Sequence, residues 1–411
     1  MTRNAFLLAF VLPFLCLLQM AGAANANWTA TSQYPLNVSG QQCIFYSGYV
    51  YCIAGASTYF LNNTYSSAAT GQGLSAWSPQ QPYPKDIFGQ SCIQLSGSAY
   101  CIGGYNSSSY TNLTYTSALS GGAFSYWRGL APYPVLVYGM SCIPSGVEIA
   151  CIGGTDPAGN NTAAAYYTSI SGNVMVNPKN SSALTPWEST SPYPIGINTA
   201  SCQSANGYVY CIGGYSKQGY TNSTFFTTLN STGLGAWRDA SPYPISASYI
   251  SCSISSGYLI CVGGYNKTAY SDRVYAAPVS ASGLGAWERL LNYPTPIGGA
   301  GCTASSQRLY CTGGYNGTSY TNATYYMDIS LLQVQPTSTA SSISQNATGI
   351  NVSSTTITAV STVGSGNTGT GAPAAPSSVW YAVAVFAVIV LALLYYIYSR
   401  RPSRSKKPGK F

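Results

Sequence analysis

The chain contains no histidine, and only 6% of its residues are charged. The first absence removes every mechanism that needs an imidazole base. It also argues against a zinc centre, because the cysteines are not spaced as metal ligands either. Apolar residues make up 46% of the chain, so it is not a disordered polar polymer. Its 411 residues suffice for one large or two ordinary domains. The formal charge of +8 points toward nucleic acid until the charges are located.

The two ends set the compartment. Residues 1–23 read as a signal peptide, with Arg3 first, an apolar run from Phe6 to Leu18, and Ala21-Gly22-Ala23 as a small-residue cleavage site. Pro13 and the shortness of that run argue against a membrane span. Residues 379–399 carry no charge and are long enough to cross a bilayer as a helix. Trp380, Tyr381, Tyr395, Tyr396 and Tyr398 stand near its ends, where aromatic belts form. Arg400, Arg401, Arg404, Lys406, Lys407 and Lys410 follow in residues 400–411, the pattern of a basic cytoplasmic tail. The expected topology is a single pass through the cell membrane, with the N-terminal bulk outside. With those six cations and Arg3 set aside, nine basic residues face eight acidic ones, so the outer part is nearly neutral. Nucleic acid is therefore not an expected partner, whereas the membrane is. Residues 333–378 are rich in Ser, Thr, Gly, Ala and Pro, and read as a stalk.

Residues 27–332 are periodic. Trp28, Trp77, Trp127, Trp187, Trp237 and Trp287 are each followed six residues later by Tyr-Pro, from Tyr34-Pro35 to Tyr293-Pro294. Nine residues beyond each of those tyrosines stands a cysteine (Cys43, Cys92, Cys142, Cys202, Cys252, Cys302). Nine further on stands a second (Cys52, Cys101, Cys151, Cys211, Cys261, Cys311). Gly-Gly follows the second cysteine in five repeats, and Ala54-Gly55 does so in the first. Each repeat holds four strand-like runs, a to d. Strand a bears the first cysteine and strand b the second cysteine with Gly-Gly. Strand c is the Thr/Asn/Tyr-rich run such as Tyr110 to Tyr115, and strand d bears Trp. Four strands in about 50 residues is the pattern of a propeller blade.

These residues resemble the kelch repeat, in which a second strand ends in Gly-Gly, a third bears Tyr, and Trp is followed by Pro. The run from Gly283 to Pro294 (GLGAWERLLNYP) looks like the version in secreted, membrane-anchored prokaryotic kelch-like proteins. The cysteine pair in each repeat departs from that family, as does Thr155 where four other repeats have Tyr. The resemblance implies an all-β fold, a six-bladed kelch-like β-propeller, here with one C-terminal transmembrane helix. The chain opens on a lone strand d and finishes on a, b and c. The N-terminal strand should therefore complete the last blade and close the ring, leaving no free sheet edge.

The midpoint of most cysteine pairs is a turn, Ser47-Gly48, Ser96-Gly97, Asn206-Gly207 or Ser256-Gly257, and Asn-Gly is a strong two-residue hairpin signal. Such a turn sets Cys202 opposite Cys211 in a non-hydrogen-bonded pair, with Cα atoms about 4.5 Å apart. Six disulfides within the repeats are expected, and neither a metal nor a cofactor. Sequons stand at Asn27, Asn37, Asn62, Asn106, Asn112, Asn160, Asn180, Asn222, Asn230, Asn266, Asn316, Asn322, Asn346 and Asn351, and glycosylation is expected at several.

Strand alternation puts the a–b and c–d loops on one face and the b–c and d–a loops on the other. Both chain ends then lie on the c–d face, and the d–a and b–c loops point away from the membrane. A ten-residue insertion near Asn173 to Ser182 falls on the c–d side. Sequons crowd the b–c loops and spare the d–a loops, apart from Asn37. Lys85, Asp86, Phe88, Tyr138, Asn198 and Tyr249 are the candidate ligand contacts on the open face. The tyrosines suit recognition, but most occupy framework positions of the repeat.

Three functional readings follow. The first is a surface module that binds extracellular glycan or protein through its outer loops. The second is a structural envelope glycoprotein without a discrete ligand. The third, a carbohydrate-active enzyme, has the least support. Copper chemistry of the kelch-like oxidases uses histidine, and sialidase-type Ser-x-Asp-x-Gly-x-Thr-Trp boxes are missing. Asp86, Glu148, Asp156, Glu188, Asp239, Asp272, Glu288 and Asp328 are scattered rather than paired. No catalysis is expected.

Overall fold

Short apolar runs punctuated by Gly, Asn and Pro favour strands over helices, and the described residues from 27 to 332 follow that pattern. The computed structural model describes residues 27–170, 184–330 and 332. The signal peptide, stalk, transmembrane helix and tail read from the sequence lie outside those residues, as do Asn180, Asn346, Asn351 and the insertion near Asn173. Among the described residues there are strands and no helix.

Six main antiparallel sheets share one plan. Strand a is Gln42–Tyr46, Ser91–Leu95, Ser141–Ser145, Ser201–Ala205, Ser251–Ser255 or Gly301–Ala304. Strand b is Tyr49–Ala56, Ser98–Ile102, Glu148–Ile152, Tyr208–Ile212, Tyr258–Val262 or Arg308–Thr312. Strand c is Phe60–Thr70, Thr114–Ser120, Ala165–Ser169, Thr224–Asn230, Val274–Ser280 or Thr324–Asp328. Strand d is Ser78–Pro79, Arg128–Gly129, Glu188–Ser189, Arg238–Asp239 or Glu288–Arg289. The last sheet takes its d strand from the other end of the chain: Trp28–Ala30 pairs antiparallel with Thr324–Asp328, Trp28 opposite Met327.

The hairpin between a and b is where local chemistry acts most directly. Ser47-Gly48, Ser96-Gly97, Asn206-Gly207 and Ser256-Gly257 all take positive φ at both positions, the primed turn that matches strand twist. That turn sets the register, and each first cysteine faces its second, as Cys202 faces Cys211. All six pairs are disulfide-bonded, with Cα atoms 4.0–4.1 Å apart, closer than the spacing expected.

Two strand assignments differ from the sequence reading. The run Tyr110 to Leu113 lies ahead of strand c, which begins at Thr114. The Thr111 hydroxyl accepts the Leu113 N–H, a local turn that competes with the ladder. Strand d is reduced to two residues that follow Trp, except at Trp28, which lies within its strand. Tyr-Pro ahead explains the brevity, since Pro cannot donate to a ladder.

The core lies between sheets rather than within any one. Among the described residues, five apolar clusters join consecutive repeats and a sixth joins the first repeat to the last. One brings Ile44 and Ile53 against Ile87 and Ala99. Another brings Tyr34, Val38 and Val50 of the first repeat against Tyr310 of the last. Every Tyr-Pro tyrosine is 0–3% exposed. Each packs edge-to-face on a tryptophan, as Tyr83 does on Trp127 at 5.0 Å and Tyr243 on Trp287 at 5.0 Å. Such geometry contributes about 0.5–1.5 kcal/mol beyond the area buried. Gly-Gly also serves these junctions. The second glycine's N–H donates to the next repeat, Gly104 to the Val137 carbonyl at 2.9 Å and Gly314 to the Val38 carbonyl at 2.6 Å. Gly104 has φ +110°, and a Cβ there would stand 2.8 Å from the Ile87 side chain.

Candidate functional site

The a strands of all six sheets line one cavity of about 370 Å³. That is within the range of small-ligand sites, roughly 300–1,000 Å³. Its wall is polar without charge. No Asp, Glu, Lys or Arg is among the lining residues, which include Ser91, Ser141, Ser201, Ser251 and Gln42. The serines also tie sheet to sheet. The Cys142 N–H donates to Ser91 Oγ at 2.9 Å, the Cys202 N–H to Ser141 Oγ at 3.1 Å, and the Cys252 N–H to Ser201 Oγ at 3.2 Å.

A collar of left-handed residues closes in at one end of this cavity, each three positions before a first cysteine. Gly40, Gly89, Gly139 and Gly299 have φ of +64° to +69°. The two remaining positions hold Thr199 at +52° and Tyr249 at +53°. Backbone hydrogen bonds run around the collar from repeat to repeat: Gly139 N–H to the Gly89 carbonyl at 2.7 Å, Thr199 N–H to Gly139 at 2.7 Å, and Gly299 N–H to Tyr249 at 3.0 Å. The Gly40 N–H donates to the Gly299 carbonyl at 2.7 Å, joining the first repeat to the last.

Glycine is required at four of these positions because a neighbour's side chain lies on each. A Cβ at Gly40 would be 2.3 Å from the Phe88 ring, at Gly89 2.9 Å from Tyr138, at Gly139 2.7 Å from Asn198, and at Gly299 2.6 Å from Ser39 Oγ. Around Tyr249 the arrangement is reversed. The residue that would cover it is Gly298, where even a Cβ would stand 3.7 Å from Tyr249 Cβ and only 2.9 Å from the Tyr270 ring.

Outside the collar runs a belt of aromatic rings. Bridges between the d–a and b–c loops, such as Phe88 with Tyr105 and Ser248 with Tyr265, put both loop types on the collar's face. Phe60 stacks on Phe88 at 6.1 Å, and Tyr105, Tyr110 and Tyr138 meet at 5.1–6.2 Å. A longer arc runs through Tyr215, Tyr220, Tyr265, Tyr270, Tyr315 and Tyr320, with successive centroids 4.6–5.5 Å apart. The belt is interrupted at the third repeat. There the Thr155 hydroxyl donates to Asn161 Oδ1 at 2.8 Å, and Asn198 Nδ2 donates to Thr155 Oγ1. Burial pushes the Tyr249 hydroxyl up to about 12, and Tyr138, Tyr270 and Tyr220 add to the effect. Tyr138 is raised chiefly by burial, with Tyr110 adding and a hydrogen bond with Thr155 opposing.

Of the candidate contacts, Phe88, Tyr138 and Tyr249 line the cavity at the collar. Asn198 is buried, with its amide committed to Thr155 and to the Tyr138 carbonyl. Lys85 and Asp86 are exposed and are not among the lining residues. Thr199 and the collar glycines went unremarked in the sequence, although a glycine three residues before the first cysteine in four repeats was there to be read.

The described sequons fall into three groups. Asn106, Asn160, Asn266 and Asn316 sit in b–c turns. In three of these the side-chain oxygen is held by the turn, as Asn316 Oδ1 accepts from the N–H groups of Thr318 and Ser319. Asn62, Asn112, Asn222 and Asn322 are half-buried where strand c begins, and Asn112 Nδ2 donates to the Tyr133 carbonyl at 2.9 Å. Asn27, Asn37 and Asn230 are exposed. Among the described residues, no cluster of acidic residues and cysteines is placed to hold a metal ion.

No protein-family model and no curated protein matches the chain in sequence. In three dimensions it is similar to the solved structure of YjhT, with a TM-score of 0.58 and 14% identity, over 71% of this chain and 95% of that one. At that identity the likeness is one of fold. The repeated antiparallel sheets and the likeness together make the all-β fold β-propeller-like.

Proposed function

We propose that the chain is a cell-surface binding module: a six-bladed, kelch-like propeller closed by its first strand, tethered by one membrane span, with its ligand site on the collar face. The observation that carries the reading is the uncharged cavity whose lining includes Phe88, Tyr138 and Tyr249 at the collar. Recognition on loops held by a rigid scaffold fits this arrangement. Closure is supported by Trp28 beside Met327, by the cluster joining Val50 to Tyr310, and by the Gly40 to Gly299 hydrogen bond. The chain enters beside Trp28 and leaves past Asp328, at the end of strand c away from the collar. The ligand we propose for the collar face is an extracellular glycan or protein.

The cavity wall offers no charged group for acid, base or electrostatic catalysis, which supports binding over turnover. The test is affinity capture from surface extracts with the chain as bait, wild type against Phe88→Ala and Tyr138→Ala, with melting temperatures as a control on folding. Capture lost in variants that remain folded supports the reading. A partner held equally by all three proteins overturns the assignment to this face.

A further inference from the structure

Tyr249 occupies a position that the fold fills more easily with glycine. A bulky residue in the left-handed region is uncommon and carries backbone strain. Four equivalent collar positions hold glycine. Strain of this kind persists where the surroundings enforce it, and it gathers at sites of function. Here the surroundings accommodate it through Gly298, which has no side chain to lie over Tyr249. Tyr249 is thereby left 37% exposed as a residue, although its hydroxyl end is desolvated, and it lines the cavity. The Tyr270 ring crosses the space beside it, and Tyr220 and Tyr138 are near enough to act on the Tyr249 hydroxyl.

The chemistry around Tyr249 selects a class of ligand. An ionic ligand would lose its hydration and find no opposite charge in the wall. A purely apolar ligand would strand the serine, threonine and glutamine groups of strand a. A neutral sugar matches both features. Its C–H face is complementary to the negative face of an aromatic ring, and its hydroxyls exchange hydrogen bonds with Ser, Thr and Gln. We infer that the collar binds a neutral saccharide, with one sugar ring stacked on Tyr249 and its hydroxyls directed to the Thr199 side chain and the serines of the cavity. This inference rests on the binding-module reading and narrows it to one ligand class at one residue.

The probes are neutral tetrasaccharides of glucose, of mannose and of N-acetylglucosamine, with tetragalacturonate as the charged counterpart. Each is titrated into the full-length chain and followed by saturation-transfer NMR. At least one neutral probe should bind, with saturation strongest on its ring C–H protons, and tetragalacturonate should bind about tenfold more weakly or not at all. Tyr249→Gly should weaken the neutral probe by about tenfold or more, and Tyr249→Phe by about twofold at most. Tyr249→Gly should also melt no lower than wild type, an outcome that a merely structural tyrosine would not give. Tyr249→Asn, which tolerates the left-handed region, should lose binding in the same way if the glycine variant folds poorly. The inference fails if no neutral probe binds, or if Tyr249→Gly and Tyr249→Asn bind as wild type does. If it fails while face-dependent capture of a protein persists, the binding-module reading stands without it; if capture also ignores the face, both fall.

Discussion

Trp28 packs edge-to-face on Tyr293, with ring centroids 4.8 Å apart and planes at 81°, and its indole N–H donates to the Leu291 carbonyl at 3.3 Å. The same pairing recurs inside the chain, where Trp77 meets Tyr34 and donates to the Ser32 carbonyl. The first tryptophan therefore plays for the last repeat the part that each other tryptophan plays for the one before it. Trp28→Ala should lower the unfolding free energy by about 2–4 kcal/mol in urea titrations. It should also leave the Thr324–Asp328 strand as an open edge, so the variant should self-associate more than wild type. A variant as stable and as monodisperse as wild type would contradict this role.

The buried tyrosines offer a contrast between burial and bonding. The hydroxyls of Tyr193, Tyr243 and Tyr293 find no hydrogen-bond partner among the described residues. That of Tyr210 donates to the Ser280 carbonyl at 2.6 Å. Tyr243→Phe should leave stability unchanged or raise it by up to about 1 kcal/mol, because an unpaired buried hydroxyl carries a desolvation cost. Tyr210→Phe should cost about 1 kcal/mol. Parallel chemical denaturation of the two variants measures the difference.

Stability should be flat across neutral pH and fall in alkali. Without histidine, no side chain with an ordinary pKa titrates between about pH 6 and 8. Burial raises the pKa of Tyr34, Tyr83, Tyr133, Tyr193, Tyr243 and Tyr293 above the ordinary 10.0. Their contribution is complete below pH 10. Above it the unfolded chain ionises while the folded one keeps its protons, so unfolding releases protons and stability falls, by about 1.4 kcal/mol per pH unit for each such tyrosine. Asp328 has the opposite sign. The Ser330 hydroxyl holds its carboxyl below the ordinary range, so its contribution is present near neutrality and is lost in acid. Melting temperatures from pH 4 to 12 test both limbs, and a steep change between pH 6 and 8 would contradict the account.

Each disulfide closes a short hairpin whose register the turn already sets. Replacing Cys202 and Cys211 together with serine should cost about 2–3 kcal/mol, by loop closure. It should leave the other five bridges intact on peptide mapping under non-reducing conditions. Scrambled pairing between repeats would show that the turns do not align the cysteines.

How far the sequence could be read follows from the range of each interaction. Cysteine pairing was legible because Asn206-Gly207 and its counterparts fix the register within ten residues. Pairing of Trp28 with the last sheet was legible from the order of strands, since an unpaired d strand at one end matches a missing one at the other. The start of strand c was misread because Tyr110 to Leu113 has strand composition, while the Thr111 side chain turns the backbone locally. Phe88, Tyr138 and Tyr249 could be picked out as loop residues, but Lys85, Asp86 and Asn198 had the same standing. What separates them is whether a side chain reaches the cavity, lies in solvent, or is spent on Thr155, and contacts between repeats decide that. The role of Gly298 was hidden for the same reason, because a glycine there makes sense only beside Tyr249 and Tyr270.

The most direct test of the proposed closure is a cross-link between Ala30 and Tyr325, which face each other where Trp28–Ala30 pairs with Thr324–Asp328. Cysteines placed at both positions and oxidised in the monomer should yield a single intrachain 30–325 linked peptide on non-reducing mass mapping, with the six native bridges retained. A chain that cannot form that link, or forms it only between molecules, would contradict closure by the first strand.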